Sequence, residues 1–307
     1  MQNTIVQEQN TRQQLERLAA QRYLYSRAKK VLEIQIACDV LTPIIAAILV
    51  AVFPDFDVYG AFIGISVAVL DFLLDNYQSS QKKRASDIQE MFDCDVLCLN
   101  CQEIKVRRRP INELILEAAE KYKRTDSTYA KLQNWYPPIV EKIPLHLARL
   151  VCQRINCWWD AQLRRRYIQL VGIILLVISF IVILLGFIKA MDLGRFFLVI
   201  VFPLLPAYIW ATREYLGQTE AANEKEELRK YTEELWTKAL KKELTVQQAD
   251  QESRHLQDEI YNNRRSNPFI LDWFYNRLRR ENEEYINRGA EELVNQALQS
   301  LTKNSNQ

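Results

Sequence analysis

Three acids stand inside apolar stretches of this sequence. Asp39 falls about five residues into the first hydrophobic block, Asp71 about six residues before the end of the second, and Asp75 nearer that end. At about 1.5 Å of rise per residue, Asp39 and Asp71 lie roughly 8–9 Å inside a membrane boundary. A charged side chain costs about 2.5–3.5 kcal/mol at the bilayer centre on insertion scales and normally faces a bundle interior or water. The chemistry open to such residues is electrostatic, because a ring of carboxylates on a water-filled path favours cations. The same acids can instead reach the interface or pair with Lys82, Lys83 or Arg84, and their spacing leaves both readings open.

A second polar cluster lies just before the third block. Gln153, Arg154, Asn156 and Asp160 stand beside Trp158, Trp159, Tyr167 and the run Arg164–Arg166. An interfacial aromatic belt with arginines on lipid phosphates accounts for much of this pattern. Basic residues next to aromatics can also hold the phosphate and base of a nucleotide, as can Lys105-Val-Arg-Arg-Arg109. Catalysis has less footing. The two histidines, His146 and His255, are far apart, and no phosphate-binding loop, nucleophile elbow or zinc-protease motif occurs. Cys94, Cys98 and Cys101 fall short of the four ligands of a structural zinc site and read as small semi-buried thiols. The chain reads as non-catalytic, with no metal, cofactor or nucleic-acid partner expected.

The elements that position these residues follow from hydropathy. The chain has 307 residues, a net charge of +2 and only 7 glycines, and its apolar residues are gathered in four blocks. These run roughly over 34–53, 58–77, 167–188 and 195–212, each about the 20 residues that cross a hydrocarbon core of about 30 Å. Short turns join them in pairs. The expected fold is therefore a mostly α membrane protein with four transmembrane helices as two hairpins. Its organisation is a 1–33 amphipathic helix, hairpin 1 at 34–77, a middle segment at 78–166, hairpin 2 at 167–212, and C-terminal helices at 213–307. Within the middle segment, the apolar and cysteine-rich 94–106 stretch suggests short strands, while Tyr136-Pro-Pro138 marks a break. The Asn262–Pro268 stretch divides the C-terminal helices into two.

Lys and Arg flank the blocks on the side of both termini and the middle segment, so positive-inside places these in the cytoplasm. The first thirty residues are polar, and no cleavable signal peptide is expected. The cysteines then read as reduced thiols. Gly60, Gly64 and Ala68 give the second block a small-residue stripe suited to close helix packing, within one chain or between copies.

Ordered motifs around the four blocks resemble a known family. They are Gln9-Asn10 with Leu18–Ser26, then Tyr136-Pro, Cys152–Asn156, Trp159-Asp160 and Leu163–Tyr167, then Leu256–Ile260, an arginine at 264 or 265, Pro268, Asp272-Trp273 and Tyr275. In these the chain resembles the four-transmembrane pore-forming effectors of bacterial conflict systems over nearly its whole length. Cys94, Cys98 and Cys101 are not part of that pattern. The resemblance implies an inner-membrane effector of anti-phage defence, encoded beside an enzyme that makes a nucleotide second messenger. The pore reading further expects a homo-oligomer in the lipid bilayer, gated by a cyclic nucleotide, since four spans from one chain make a poor lumen. The alternative is a non-conducting membrane anchor whose cytoplasmic helices dock a partner.

Overall fold

The computed structural model describes residues 2–52, 57–100, 110–188, 192–197 and 201–305. Four long helices dominate them: α2 (Arg12–Val52), α3 (Asp57–Val96), α5 (Leu145–Ile188) and α7 (Phe202–Leu240). Shorter or wholly polar elements complete the chain: α1 (Ile5–Gln9), α4 (Asn112–Lys123), a 3-10 turn (Pro138–Lys142), α6 (Leu193–Phe196), α8 (Val246–Ser266) and α9 (Asp272–Ser305). No β-strand occurs among the described residues.

Each long helix runs through an expected membrane boundary without interruption. An apolar block and its neighbouring polar segment form one rod, because no proline, glycine or capping residue separates them at 33–34, 77–78 or 166–167. Helix α2 packs along α3, and α5 along α7. At the apolar ends large side chains stand exposed, among them Leu41, Phe72, Leu73, Leu176, Phe180, Phe187 and Phe202. Among the described residues α5 is the one helix long and apolar enough to cross a membrane, with a mean hydropathy of 3.3 in its most apolar stretch.

The polar ends pack into a core. Leu18, Leu24, Ile88, Phe92, Tyr136, Leu150, Val151, Trp236 and Val294 bring together α2, α3, α5, α7 and α9. Helix α8 opens with a capping box: Thr245 accepts from the Gln248 backbone N–H while Gln248 accepts from that of Thr245.

The structure corrects the strand expectation where it can be compared. Residues 94–96 complete α3 and 97–98 form a turn, in which Cys98 takes a positive φ of 49°. Cys94, Val96 and Leu97 are buried, so this short apolar run is the inner face of a helix end, a pattern that does not by itself separate strand from helix. Residues 101–109, including Cys101 and the basic run Lys105–Arg109, lie outside the described residues. The expected fourth block can be compared in two parts, residues 198–200 lying outside the described residues. Leu193–Phe196 forms a short helix, and α7 starts at Phe202, so Pro203 occupies a first turn that needs no N–H. The predicted breaks at Tyr136-Pro-Pro138 and near Pro268 are present, and a further one at 241–245 separates α7 from α8.

Candidate functional site

Asp93, near the end of α3, has no exposed surface and gathers four elements around it. The Tyr136 hydroxyl donates to its Oδ1 at 2.7 Å, Gln257 Nε2 donates to its Oδ2 at 2.9 Å, and Arg264 Nη1 forms an ion pair with Oδ2. Asn156 Nδ2 donates to the Tyr136 hydroxyl at 3.0 Å. The Tyr136 backbone is itself gripped by Gln9, whose amide accepts from its N–H at 2.7 Å and donates to its carbonyl at 3.1 Å. Gln153 is fully buried, donating to the Ser253 carbonyl at 2.7 Å and accepting from the Ser253 hydroxyl at 2.8 Å. Next to this group Glu90 accepts from Arg254 at 2.6 Å and from Gln257 at 3.0 Å.

The electrostatics follow from burial. Burial and the nearby Asp93 carboxylate push the Tyr136 hydroxyl well above its ordinary value, and the same two causes raise the Cys152 thiol. Burial works against the charge of Arg264, but Asp93 overrides it and holds the guanidinium above its ordinary value. The junction is thus a fixed-charge pair wrapped in neutral donors, suited to specifying one arrangement of α1, α3, α5 and α8.

A second cluster lies where α5 approaches its apolar half. Arg164 is 6% exposed, and it does not face lipid phosphates. Its Nε sits 3.1 Å from Asp160, and its Nη1 donates to Gln218 and, at 3.0 Å, to the Pro268 carbonyl. Gln218 donates to the Phe269 carbonyl at 2.7 Å, Lys82 to the Asn267 carbonyl at 2.9 Å, and Lys29 pairs with Asp272 at 2.8 Å. Trp159 lies against Tyr275 at 5.7 Å, and Tyr167 meets Phe274 edge-to-face at 5.3 Å. These contacts strap the elbow between α8 and α9 to the other rods. Arg154 stands apart from it, paired with Glu233 of α7.

Two carboxylates of the elbow region make it acid-sensitive. Burial alone would raise Asp160, yet Arg164 and Lys225 hold it below its ordinary value; burial likewise opposes Lys29, which holds Asp272 below its own. A depressed folded-state pKa adds stability that is complete above the unfolded value and is lost as pH falls through the folded one. The melting temperature of the detergent-solubilised protein is therefore expected to drop further below about pH 4 in wild type than in an Asp160→Asn/Asp272→Asn variant. Parallel acid profiles for the two proteins would remove this role.

Within the apolar halves, the polar groups of α2 and α3 meet each other. The Asp39 and Asp71 carboxyl groups come within hydrogen-bonding reach across the pair. One turn nearer the polar end, Gln35 donates to Asp75 at 3.0 Å and accepts from Gln78 at 2.5 Å. Lys82, weighed above as a partner for these acids, is engaged by the elbow. Gly60, Gly64 and Ala68 fall on α3, and their side-chain surroundings lie outside the described residues.

Of the predicted site residues, the structure brings Gln153 and Asn156 to the Asp93 junction, Trp159, Asp160, Arg164 and Tyr167 to the elbow, and Asp39, Asp71 and Asp75 to the α2–α3 seam. Sequence reading missed Asp93 and Gln218, and it took Lys82 only as a partner for the membrane acids. One signal was present for Asp93: it stands between Phe92 and Cys94 in Met91-Phe-Asp-Cys-Asp-Val-Leu97, and an acid flanked by apolar residues in such a run needs a partner once buried.

Long helices locked at one end by buried polar pairs, one of them long and apolar enough to cross a membrane, define a helical protein with a candidate membrane span. Its particular kind is given by comparison: the chain belongs to the SMODS-associating 4TM effector domain family, whose model matches residues 3–293. This is a family of defence-system effector domains and not a known enzyme family. The chain is also similar to a protein of Bacillus cereus (strain VD146) named a probable CBASS effector molecule, with 23% identity over 213 residues, 67% of this chain and 70% of that protein. No solved structure matches the chain.

Proposed function

We propose that this chain is a four-span effector in the bacterial inner membrane, with both termini cytoplasmic, that oligomerises on activation and dissipates the membrane potential. The observation that carries the reading is the exposure of large apolar side chains on all four long helices, Leu41 and Ile45 on α2, Phe72 and Leu73 on α3, Leu176 and Phe187 on α5, and Phe202 and Leu205 on α7. A water-soluble fold does not leave such contiguous apolar surface open on every rod. The family description, a four-transmembrane effector domain, supports the same count. The name of the Bacillus relative supports a place in nucleotide-signalling defence, with a cyclic nucleotide or the enzyme that makes it as the activating partner. The α2–α3 seam then supplies the conducting element: separation of the rods on oligomerisation frees the Asp39, Asp71 and Asp75 carboxylates to line a path for cations.

A second reading has its own support. Gln153 and Arg154 are occupied by internal partners, and the seam acids face one another within one chain. Both suit a non-conducting anchor that docks a cytoplasmic partner.

Membrane potential, followed with a voltage-sensitive dye after induction in a bacterium, separates the two. Wild type is expected to depolarise cells when co-expressed with a cyclic-nucleotide-producing enzyme, and Asp71→Asn, which keeps a hydrogen-bonding group but removes the charge, is expected to blunt that response. An unchanged potential with the protein confirmed in the membrane supports the anchor instead.

A further inference from the structure

The elbow between α8 and α9 does more than tie polar segments together, because it reaches the level of the α5 span. Ile270 and Phe274 pack against Leu163, Tyr167 and Val171, and Leu175 joins the same cluster. Val171 and Leu175 lie one and two turns beyond Tyr167, about 6 and 12 Å along the rod. The elbow therefore sits beside the first two turns of the most apolar segment in the protein, a depth that corresponds to the headgroup and upper acyl region of a bilayer.

Its outward face matches that position. Trp273, 51% exposed, is followed at helical spacing by Arg277 and Arg280, both exposed, so one stripe of α9 carries an indole and then two guanidinium groups. Next to Trp273 on the helix, Phe274 turns inward and holds the stripe in place against Tyr167 at 5.3 Å. An indole at the interface with arginines on its polar side is the arrangement that favours lipid headgroups, above all anionic ones.

We infer that the α8–α9 elbow is a membrane-interface contact, with Trp273 seated among the lipid headgroups and Arg277 and Arg280 meeting their phosphates. The C-terminal segment is then not wholly cytoplasmic: it touches the bilayer beside the root of α5. This rests on reading α5 as a span.

The test uses the full-length protein in vesicles of phosphatidylethanolamine and phosphatidylglycerol, doped with phosphatidylcholine brominated either near the headgroup or near the chain end. Tryptophan emission is compared between wild type and Trp273→Phe, so that the difference spectrum isolates one indole. That spectrum is expected to be largely extinguished by the shallow bromine and little affected by the deep one. A difference spectrum quenched by neither, whether red-shifted in water or blue-shifted against protein, overturns the inference. Trp210, near the polar end of the apolar part of α7, is the internal control: Trp273→Phe emission that neither bromine reduces at all marks a failure of insertion, and so of the spanning reading.

Discussion

Arg264→Met is expected to destabilise the folded protein by about 3–5 kcal/mol, the cost of removing one partner from a buried ion pair. Asp93 has no exposed surface, so once Arg264 is gone its carboxylate must protonate, draw in water or break the junction. The loss should register as a lower melting temperature in detergent and as a smaller monodisperse fraction on gel filtration. Adding Asp93→Asn to the same chain is expected to recover part of it. Asparagine removes the orphaned charge yet still accepts from the Tyr136 hydroxyl, which would itself cost about 1–3 kcal/mol if left unpaired. A double variant less stable than Arg264→Met alone would mean that Asp93 is solvated, contrary to its place in the core.

Arg164→Ala carries the other large effect. This guanidinium serves Asp160, Gln218 and the Pro268 carbonyl together, and charge-assisted hydrogen bonds contribute about 1.5–3 kcal/mol each at most sites. Its removal frees the elbow from α5 and α7 while leaving the Asp93 junction intact. Limited proteolysis should then cut within 266–272 much faster than in wild type, with little change elsewhere. Arg164→Lys is expected to behave like alanine, because an ammonium cannot span three acceptors in a forked geometry. Equal cleavage rates for wild type and Arg164→Ala would show that the elbow is held by its aromatic contacts instead.

Much of the helical architecture was legible, because apolar blocks of about 20 residues and the breaks at Pro137 and Pro268 follow from local chemistry alone. What escaped were properties set by partners distant in sequence. The helix end at 94–98 looked strand-like since a four-residue apolar run suits either element until its neighbours are known. Asp93 finds Gln257 and Arg264 more than 160 residues away, and no spacing rule links them. Arg164 resembled a lipid-facing arginine because Arg164–Arg166 read as one basic run. In the fold only Arg165 of the three is largely exposed, while Arg166 turns to Glu281. The family motifs were found as a string before the contacts explained them: Gln9, Tyr136, Gln153, Asn156, Gln257 and Arg264 belong to one neighbourhood.

Helix α5 has a mechanical consequence. Its 44 residues contain no proline, and Tyr167 divides them into equal halves, one carrying Gln153 in the polar core and the other the most apolar stretch of the described chain. Such a rod is a balanced lever with the elbow at its fulcrum. With arms of about 33 Å, a tilt of about 10° moves each end by about 6 Å in opposite directions. Whatever displaces the polar arm is therefore felt at the tip of the apolar arm undiminished, without any hinge in between.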